Sequence, residues 1–437
     1  MYVWLKKITT AQTALLVLIL AAFAPSLIEL SAEIRQYGVL LFFVSASLYL
    51  SEKALQQNSP QWMIFFSLSL YGALLSHYSA LLFAFSIGVY MLVRLWFDQR
   101  EGRPRLFLAW ATGQIVAVAL VTYFLLTHVP HLREMGMAQG IAGTWLRKSI
   151  YHPGENSLLL FPVQQTLRVF TYLFSHGFIG AVALLGFLAG IIWLLRQKAS
   201  QSQPTQGPTT HQLALLIGLP FVANCVVAIA GLYPYGGTRH NVYLAPFAVA
   251  GIAIGIAAWK PRLIWIRALV LLLCLAFCNW FPAPPPMIRA RNHQRALMDH
   301  AVVFLSQNAP PGSILFADYQ SGLLLGYYLC GHRVVEEFGP LDPYFQAECG
   351  SYTVITTQPQ EWKFYSTDLP RQLAGAASTF ALAPGTKLWL FDAGWITDSG
   401  PLLRKELPQF GCPAPHDFGE NILICELTVG GDSSRQP

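Results

Sequence analysis

Charged and imidazole side chains interrupt the apolar amino-terminal part of this sequence at three places. Glu33 and Arg35 stand between two apolar runs, and His77 stands between the next two. Arg239 and His240 follow two glycines in a short polar segment that also joins apolar runs. A guanidinium can bind a phosphate through two parallel hydrogen bonds, and a histidine can donate or accept a proton near neutral pH. Ionisable groups at a membrane boundary are costly unless they are paired, hydrated or used, so these residues are candidates for a functional site.

Tyrosines accompany each of these places and complete the predicted site. The predicted phosphate-binding residues are Arg239, Arg35 and His240, and the predicted wall residues are Glu33, Tyr37, His77, Tyr78 and Tyr235. Simpler roles stay open. Arg239 can reach out to lipid head groups, and His77 can cap a helix. Glu33 and Arg35 can form a surface pair, because residues two apart do not face each other on a helix.

The composition requires a membrane environment for much of the chain. Of the 437 residues 54% are hydrophobic and only 11% are charged, against about 25% charged in an ordinary soluble domain. The apolar character extends to about Trp280, whereas charges occur at normal density from Pro282 onward. The net charge of +6 is spread over short loops, so the sequence predicts no nucleic-acid partner.

Nine apolar segments predict membrane-spanning helices, since about 20 apolar residues cross the hydrocarbon layer. Lys and Arg concentrate in alternate loops, which predicts a cytoplasmic amino terminus. All the polar places described above, the loop 128–166 and the carboxy-terminal region then share the outer face. The predicted spans are 11–29, 38–51, 61–76, 79–97, 106–127, 167–195, 212–232, 241–259 and 263–281.

The domain prediction is a polytopic α-helical membrane domain over 1–281, a Pro-rich linker at 282–286 and an extracytoplasmic α/β domain over 287–437. Helical and strand patterns alternate in the last region, which is typical of a small α/β layer domain. Asp318 is expected to cap the helix that follows it. The four cysteines of this region allow three pairings, and Cys412 with Cys425 is the first expectation. The predicted strands are 313–317, 333–336, 352–356, 387–392 and 421–428, and the predicted helices are 288–308, 318–329 and 367–377.

The sequence contains no clear cofactor motif. The histidines of the 128–166 loop do not match a zinc-binding spacing. A divalent metal ion held by the carboxylates of Glu33 and Glu134 stays open.

Three motifs resemble bacterial family-39-like glycosyltransferases. The run from Pro25 to Tyr37 is similar to that family's "P…S…E-x-R-x-Y" passage, and Ser76-His77-Tyr78 to its "T/S-H-Y" signature. The segment from Pro234 to Pro246 resembles its "P-x-G-G-x-R-x…P" turn. In the carboxy-terminal region, Asp318-Tyr319-Gln320-Ser321 and Tyr327-Tyr328-Leu329 are also similar to the family.

The resemblance implies the GT-C fold and a hexosyl- or pentosyltransferase of the plasma (inner) membrane. Its donor would be a sugar linked to polyprenyl phosphate, and its acceptor an envelope glycan, lipid or protein. The family carries its catalytic acid in the first outer loop, and this chain is expected to begin after that loop, near the second or third span. An inactive chain, or a non-catalytic membrane protein that binds a lipid-linked glycan or scaffolds envelope assembly, is the alternative.

Overall fold

The computed structural model describes residues 1–32, 35–97, 103–134, 146–197, 207–258, 264–280, 286–331, 344–357, 369–393, 403–405, 407–419 and 422–430. Their contacts divide the chain into two compact units, which are described separately. The amino-terminal unit comprises Met1–Leu132 and Ile141–Met287, and the carboxy-terminal unit comprises Arg133–Gly140 and Ile288–Pro437.

Helices build the amino-terminal unit, and local sequence explains several of their ends. Pro60 begins α5, where its missing N–H is not needed. The side chain and backbone of Thr209 exchange hydrogen bonds with those of Gln212 at the start of α10. The helices are α1 (Tyr2–Ile8), α2 (Ala11–Phe23), α3 (Pro25–Ala32), α4 (Tyr37–Gln57), α5 (Pro60–Ser76), α6 (Ala80–Trp96), α7 (Arg103–Glu134), α8 (Leu160–Phe174), α9 (Gly177–Arg196), α10 (Thr210–Ile229), α11 (Ala245–Ala258) and α12 (Ile264–Trp280).

The helices described confirm a polytopic membrane protein. Five segments are long and apolar enough to cross a membrane: Tyr37–Gln57, Arg103–His128, Gly177–Arg196, Thr210–Ile229 and Arg239–Ala258. The pair α2 and α3 forms a sixth candidate, which bends by 61° between Phe23 and Pro25. Two further predicted spans correspond to the shorter apolar helices Ala80–Trp96 and Ile266–Phe277, and the predicted span 61–76 corresponds to α5.

Two boundaries of the sequence prediction were wrong. The span predicted over 167–195 is two helices, because Ser175 adopts a left-handed conformation and the His176 side chain caps the start of α9. The loop predicted over 128–166 is shorter at both ends, since α7 continues to Glu134 and α8 begins at Leu160.

Close packing of glycines places α11 at the centre of this unit. A methyl group on Gly190 would lie 2.2 Å from the carbonyl oxygen of Gly251, and one on Gly255 would lie 2.1 Å from that of Gly186. Each helix therefore presents a pair of glycines four residues apart to the other, the pattern of close helix contacts in membranes. Of the span Arg239–Ala258, 78% is buried, against 22% of the α7 span. The exposed apolar residues of α7 are therefore expected to face lipid, whereas α11 packs inside the unit.

The carboxy-terminal unit is a small α/β layer domain, as the sequence predicts. Its strands form a six-stranded sheet in the order β2-β3-β1-β4-β6-β5, in which β1 pairs in parallel with β3 and β4. The elements are α13 (Pro286–Asn308), β1 (Ile314–Ala317), α14 (Tyr319–Leu329), β2 (Tyr344–Cys349), β3 (Tyr352–Thr357), α15 (Leu369–Thr379), β4 (Lys387–Asp392), β5 (His416–Asp417) and β6 (Leu423–Thr428).

Two expectations for this unit are confirmed. The side chain of Asp318 accepts a hydrogen bond from the backbone N–H of Ser321 and caps α14. Cys412 is bonded to Cys425, and a second disulfide joins Cys330 to Cys349. The strand predicted at 333–336 and most of the linker 282–286 lie outside the described residues, and Pro286 already belongs to α13.

Candidate functional site

The start of α4 carries the first part of the predicted site. Tyr37 is the first residue of this helix and is only 2% exposed, whereas Arg35, two residues earlier, is exposed. The aromatic ring is thus fixed in the core while the guanidinium reaches the surface. Glu33 lies outside the described residues.

The turn between α5 and α6 fixes the imidazole of His77. This residue follows α5 in an extended conformation, and its ring folds back over the turn. Nδ1 of His77 accepts a hydrogen bond from the backbone N–H of Ser79 at 3.1 Å and lies 2.8 Å from the Ser79 hydroxyl. Both residues are buried. The ring therefore has one orientation, set by main-chain geometry.

The segment 233–241 is held in shape by two buried amides. Asn241 donates one hydrogen bond to the carbonyl of Gly236 at 3.1 Å and another to the Thr238 hydroxyl at 3.2 Å. Its own carbonyl oxygen accepts a hydrogen bond from Asn224 of α10 at 2.5 Å. Gly237 is required here, since a methyl group would lie 2.6 Å from the backbone oxygen of Arg168. A 3₁₀ turn, Arg239–Leu244, then leads into α11.

These three distant parts of the chain meet through their rings. The ring centroids of Tyr37 and His77 are 5.2 Å apart, and those of His77 and His240 are 5.7 Å apart. The Tyr37 and His240 rings lie edge to face at 6.4 Å. The structure therefore brings one predicted residue from each place into a single cluster.

Two guanidinium charges act on this ring cluster. Burial, with a further contribution from the charge of Arg239, lowers the pKa of His77 to about 4. The charges of Arg239 and Arg35 also act electrostatically on the imidazole of His240. The site thus combines two permanent cations with a histidine that is neutral at physiological pH, and such a set favours an anionic ligand.

Tyr233 lies close to two of the three parts, although it was not among the predicted site residues. Its hydroxyl donates a hydrogen bond to the backbone carbonyl of His240 at 3.2 Å. Burial raises the pKa of Tyr233, and the nearby Ser79 side chain offsets part of this rise, so the phenol stays protonated. The place of Tyr233 beside the glycine turn was visible in the sequence, but nothing there indicated that its hydroxyl would lie near the His77 turn.

Two predicted wall residues point elsewhere. The Tyr78 hydroxyl lies 3.1 Å from Nδ1 of His128, and this tyrosine is 38% exposed. The Tyr235 hydroxyl lies 2.7 Å from that of Thr166 in α8, and Tyr235 is buried. Neither makes a described ring contact with His77 or His240, so their roles stay predictions.

A buried carboxylate lies on the helix that precedes the site. Glu29 of α3 is only 6% exposed. It follows Ser26 by three residues, which places both side chains on one face of α3. The Ser26 hydroxyl donates a hydrogen bond to the carbonyl of Tyr172, and Ser26 lines a narrow cavity with Gly236 and Asn241. The face of α3 that carries Glu29 is therefore turned toward the 233–241 segment.

The part of the chain that the structure describes contains no group of three His, Cys, Asp or Glu side chains placed to hold a metal ion. The metal expectation involves Glu33, which is not among those residues, so it stays a prediction.

The comparisons with known proteins bear on the first two parts of the site. The family model described as "Dolichyl-phosphate-mannose-protein mannosyltransferase" matches residues 1–126. The amino-terminal part of this chain is similar to that family. The match covers Arg35, Tyr37 and His77, but it ends well before Arg239 and spans less than a third of the chain. No curated protein matches the chain. The match points to a GT-C-type glycosyltransferase that uses a lipid-linked sugar in a membrane setting.

Proposed function

We propose that this protein transfers a sugar from a polyprenyl-phosphate-linked donor to an envelope glycan, lipid or protein. The similarity of residues 1–126 to a lipid-linked mannosyltransferase family and the apolar helices support this assignment. The observation that carries it is the contact of the Tyr37, His77 and His240 rings from three distant parts of the chain, with Arg35 and Arg239 near Tyr37 and His240 in the sequence. The finer likeness to bacterial family-39-like enzymes rests on the three sequence motifs.

The geometry suits the departure of a phosphate. As the bond between the sugar and the donor oxygen breaks, negative charge accumulates on the lipid phosphate. Arg239 is half-buried, so its charge is less screened than that of the exposed Arg35. We therefore assign to Arg239 the main part in stabilising the departing phosphate and to Arg35 a supporting part.

The acceptor hydroxyl must lose a proton, and a carboxylate is the usual base for this step. Glu29 is our candidate, because it is buried on the face of α3 that is turned toward the 233–241 segment. In this scheme the acceptor oxygen forms the new bond to the anomeric carbon, the proton passes to the carboxylate, and the phosphate leaves with the bonding electron pair.

The asymmetric distribution of Lys and Arg between loops supports a site on the outer face of the inner or plasma membrane. On the same basis the carboxy-terminal domain would be periplasmic or extracellular. Reaction with a membrane-impermeant thiol reagent at a cysteine introduced in place of exposed Tyr78 tests this topology in intact cells.

The decisive experiment uses the full chain in nanodiscs with polyprenyl-phosphate donors that carry labelled hexoses or pentoses, and an envelope extract as acceptor. We expect transfer by the wild type, loss of transfer in Arg239→Ala, and a reduced turnover number in Glu29→Gln. Arg196→Ala is the matched control, because this exposed arginine lies at the end of α9 away from the cluster. A folded wild type that binds the donors but transfers none would overturn the enzymatic assignment in favour of a binding role.

A further inference from the structure

The hydrogen bonds of the α5–α6 turn decide which nitrogen of His77 carries the proton. The backbone N–H of Ser79 always donates, and its acceptor is Nδ1 of His77 at 3.1 Å. A proton on Nδ1 would place two N–H groups against each other. Nδ1 therefore holds the lone pair, and the proton of the neutral ring is on Nε2.

The neighbouring hydroxyl groups are consistent with this tautomer. The Ser79 hydroxyl lies 2.8 Å from Nδ1 of His77. Because the backbone N–H of Ser79 already requires an acceptor at Nδ1, the hydroxyl can only be a second donor to it. The Tyr233 hydroxyl donates its proton to the carbonyl of His240, so it does not require His77 as its acceptor. Nδ1 of His77 therefore remains an acceptor.

The surroundings keep the ring neutral and its other nitrogen available. Among the described residues, the titratable and charged groups that face it are Tyr37 from α4, and Arg239 and His240 from the 233–241 segment. Within the described residues, the hydrogen bonds of His77 all pass through Nδ1, and Nε2 has no partner there. Arg239 contributes only N–H donors. A ligand that satisfies the Nε2–H of His77 must itself be an acceptor.

We propose that His77 is a neutral hydrogen-bond donor that positions a phosphate oxygen of the lipid-linked substrate through its Nε2–H, and that it takes no part in proton transfer. This inference rests on the proposed function for the identity of the lipid. It deepens that function, because it separates phosphate positioning by His77 from charge neutralisation by Arg239.

Two amide substitutions distinguish the ring nitrogens. The amide nitrogen of Gln can occupy the place of Nε2, whereas that of Asn reaches only the place of Nδ1. We expect His77→Gln to bind polyprenyl phosphate within about threefold of the wild type. His77→Asn and His77→Ala should bind it about 10- to 100-fold more weakly, as for the loss of a hydrogen bond to a charged group. Because Gln and Asn are both amides, comparison of their unfolding temperatures separates loss of fold from loss of contact.

The measurement is equilibrium binding of polyprenyl phosphate, without sugar, to the full chain in phosphatidylcholine nanodiscs between pH 5.5 and 8. The affinity ratio of wild type to His77→Gln should not vary with pH, since the ring stays neutral. Three results would overturn the inference: equal affinities of His77→Asn and His77→Gln, wild-type affinity of His77→Ala, or an affinity ratio that rises as the pH falls.

Phosphatidic acid at equal mole fraction should compete poorly with polyprenyl phosphate. Equal competition would overturn the polyprenyl assignment. Binding without sugar transfer would sink the proposed enzyme but leave this inference standing.

Discussion

The guanidinium of Arg94 lies 3.0 Å from the carboxylate of Glu52, and neither side chain is more than 4% exposed. Tyr90 completes the group: it donates its hydroxyl to Glu52 and accepts a hydrogen bond from Arg94 at 2.6 Å. The group ties α6 to α4 at the ends of these helices that are remote from Tyr37 and from the His77 turn. It therefore fixes the relative position of α4, which begins at Tyr37, and α6, which follows the turn that carries His77.

Breaking this ion pair should destabilise the amino-terminal unit. Arg94→Met leaves a buried carboxylate without its cation, and removal of one partner from a buried pair costs about 3–5 kcal/mol. The double variant Glu52→Gln/Arg94→Met should recover much of that loss, because no buried charge remains. Thermal unfolding in detergent measures the loss in the single variant and the recovery in the double variant, with Arg196→Met as control. Equal losses in the single and double variants would contradict a role for the buried charge.

The glycine contact between α9 and α11 gives a second test. Gly255→Ala places a methyl group 2.1 Å from the backbone of Gly186, which the packed helices cannot relieve without moving apart. We expect a loss of about 1–3 kcal/mol, as for other overpacked sites. The control is Gly218→Ala in α10, where no atom lies within 4 Å of the added methyl group. That variant should be neutral or stabilised by up to about 1 kcal/mol. Similar unfolding temperatures for the two would refute the close contact.

The buried amide pair supports the segment that carries Arg239. Asn224→Ala removes the hydrogen bond to Asn241 and leaves the latter's carbonyl oxygen without that partner, at a cost of about 1–3 kcal/mol. Because Asn241 also holds Gly236 and Thr238, we expect weaker polyprenyl phosphate binding as well. A double-mutant cycle with Asn241→Ala checks the connection. Strictly additive losses would show that the two amides act independently.

The lowered pKa of His77 predicts how stability depends on pH. In the folded protein this pKa is about 4, against 6.5 for a free imidazole, so the unfolded chain binds more protons between these values. Above pH 6.5 the His77 ring is neutral in both states, so its full contribution to the free energy of unfolding is present. As the pH falls from 6.5 toward 4, protonation of the unfolded chain lowers that free energy. The unfolding temperature of the wild type should therefore fall more steeply over this range than that of His77→Gln. Parallel curves would mean that folding does not lower the pKa of His77.

The disulfide between Cys412 and Cys425 should stabilise the carboxy-terminal unit. The two residues are 13 positions apart, and closure of a loop of that size is worth about 3 kcal/mol. The double variant Cys412→Ser/Cys425→Ser, assayed by limited proteolysis of that unit, should be cleaved faster. Cys274→Ser is the control, since this cysteine is unpaired and exposed. Unchanged cleavage, or equal sensitivity in the control, would contradict the expectation.

Hydropathy and alternation were sufficient to predict β1, β3, β4, β6 and most helices, because both patterns are local. The strands β2 and β5 were not predicted. The division of 167–195 was missed because the left-handed conformation of Ser175 leaves no mark in an apolar run. The glycine pairs of α9 and α11 were present in the sequence, but helical spacing alone does not say which helix they face.

The candidate site shows the same limit. Arg35, His77 and Arg239 could be selected because charges are rare in apolar surroundings. Glu29 was overlooked because it ends an apolar run and was counted as part of the predicted span 11–29. The contact between the rings of His77 and His240 depends on how distant helices pack, which one sequence does not reveal.

The contact between His77 and His240 has a consequence for biosynthesis. His77 leaves the ribosome about 160 residues before His240, a delay of about 8–33 s at ~5–20 residues per second. During that interval the first helices are already in the membrane, while Arg35 and His77 still lack the segment that completes their surroundings. Until the later helices are inserted, Arg35 and His77 must therefore be hydrated or covered by a membrane chaperone.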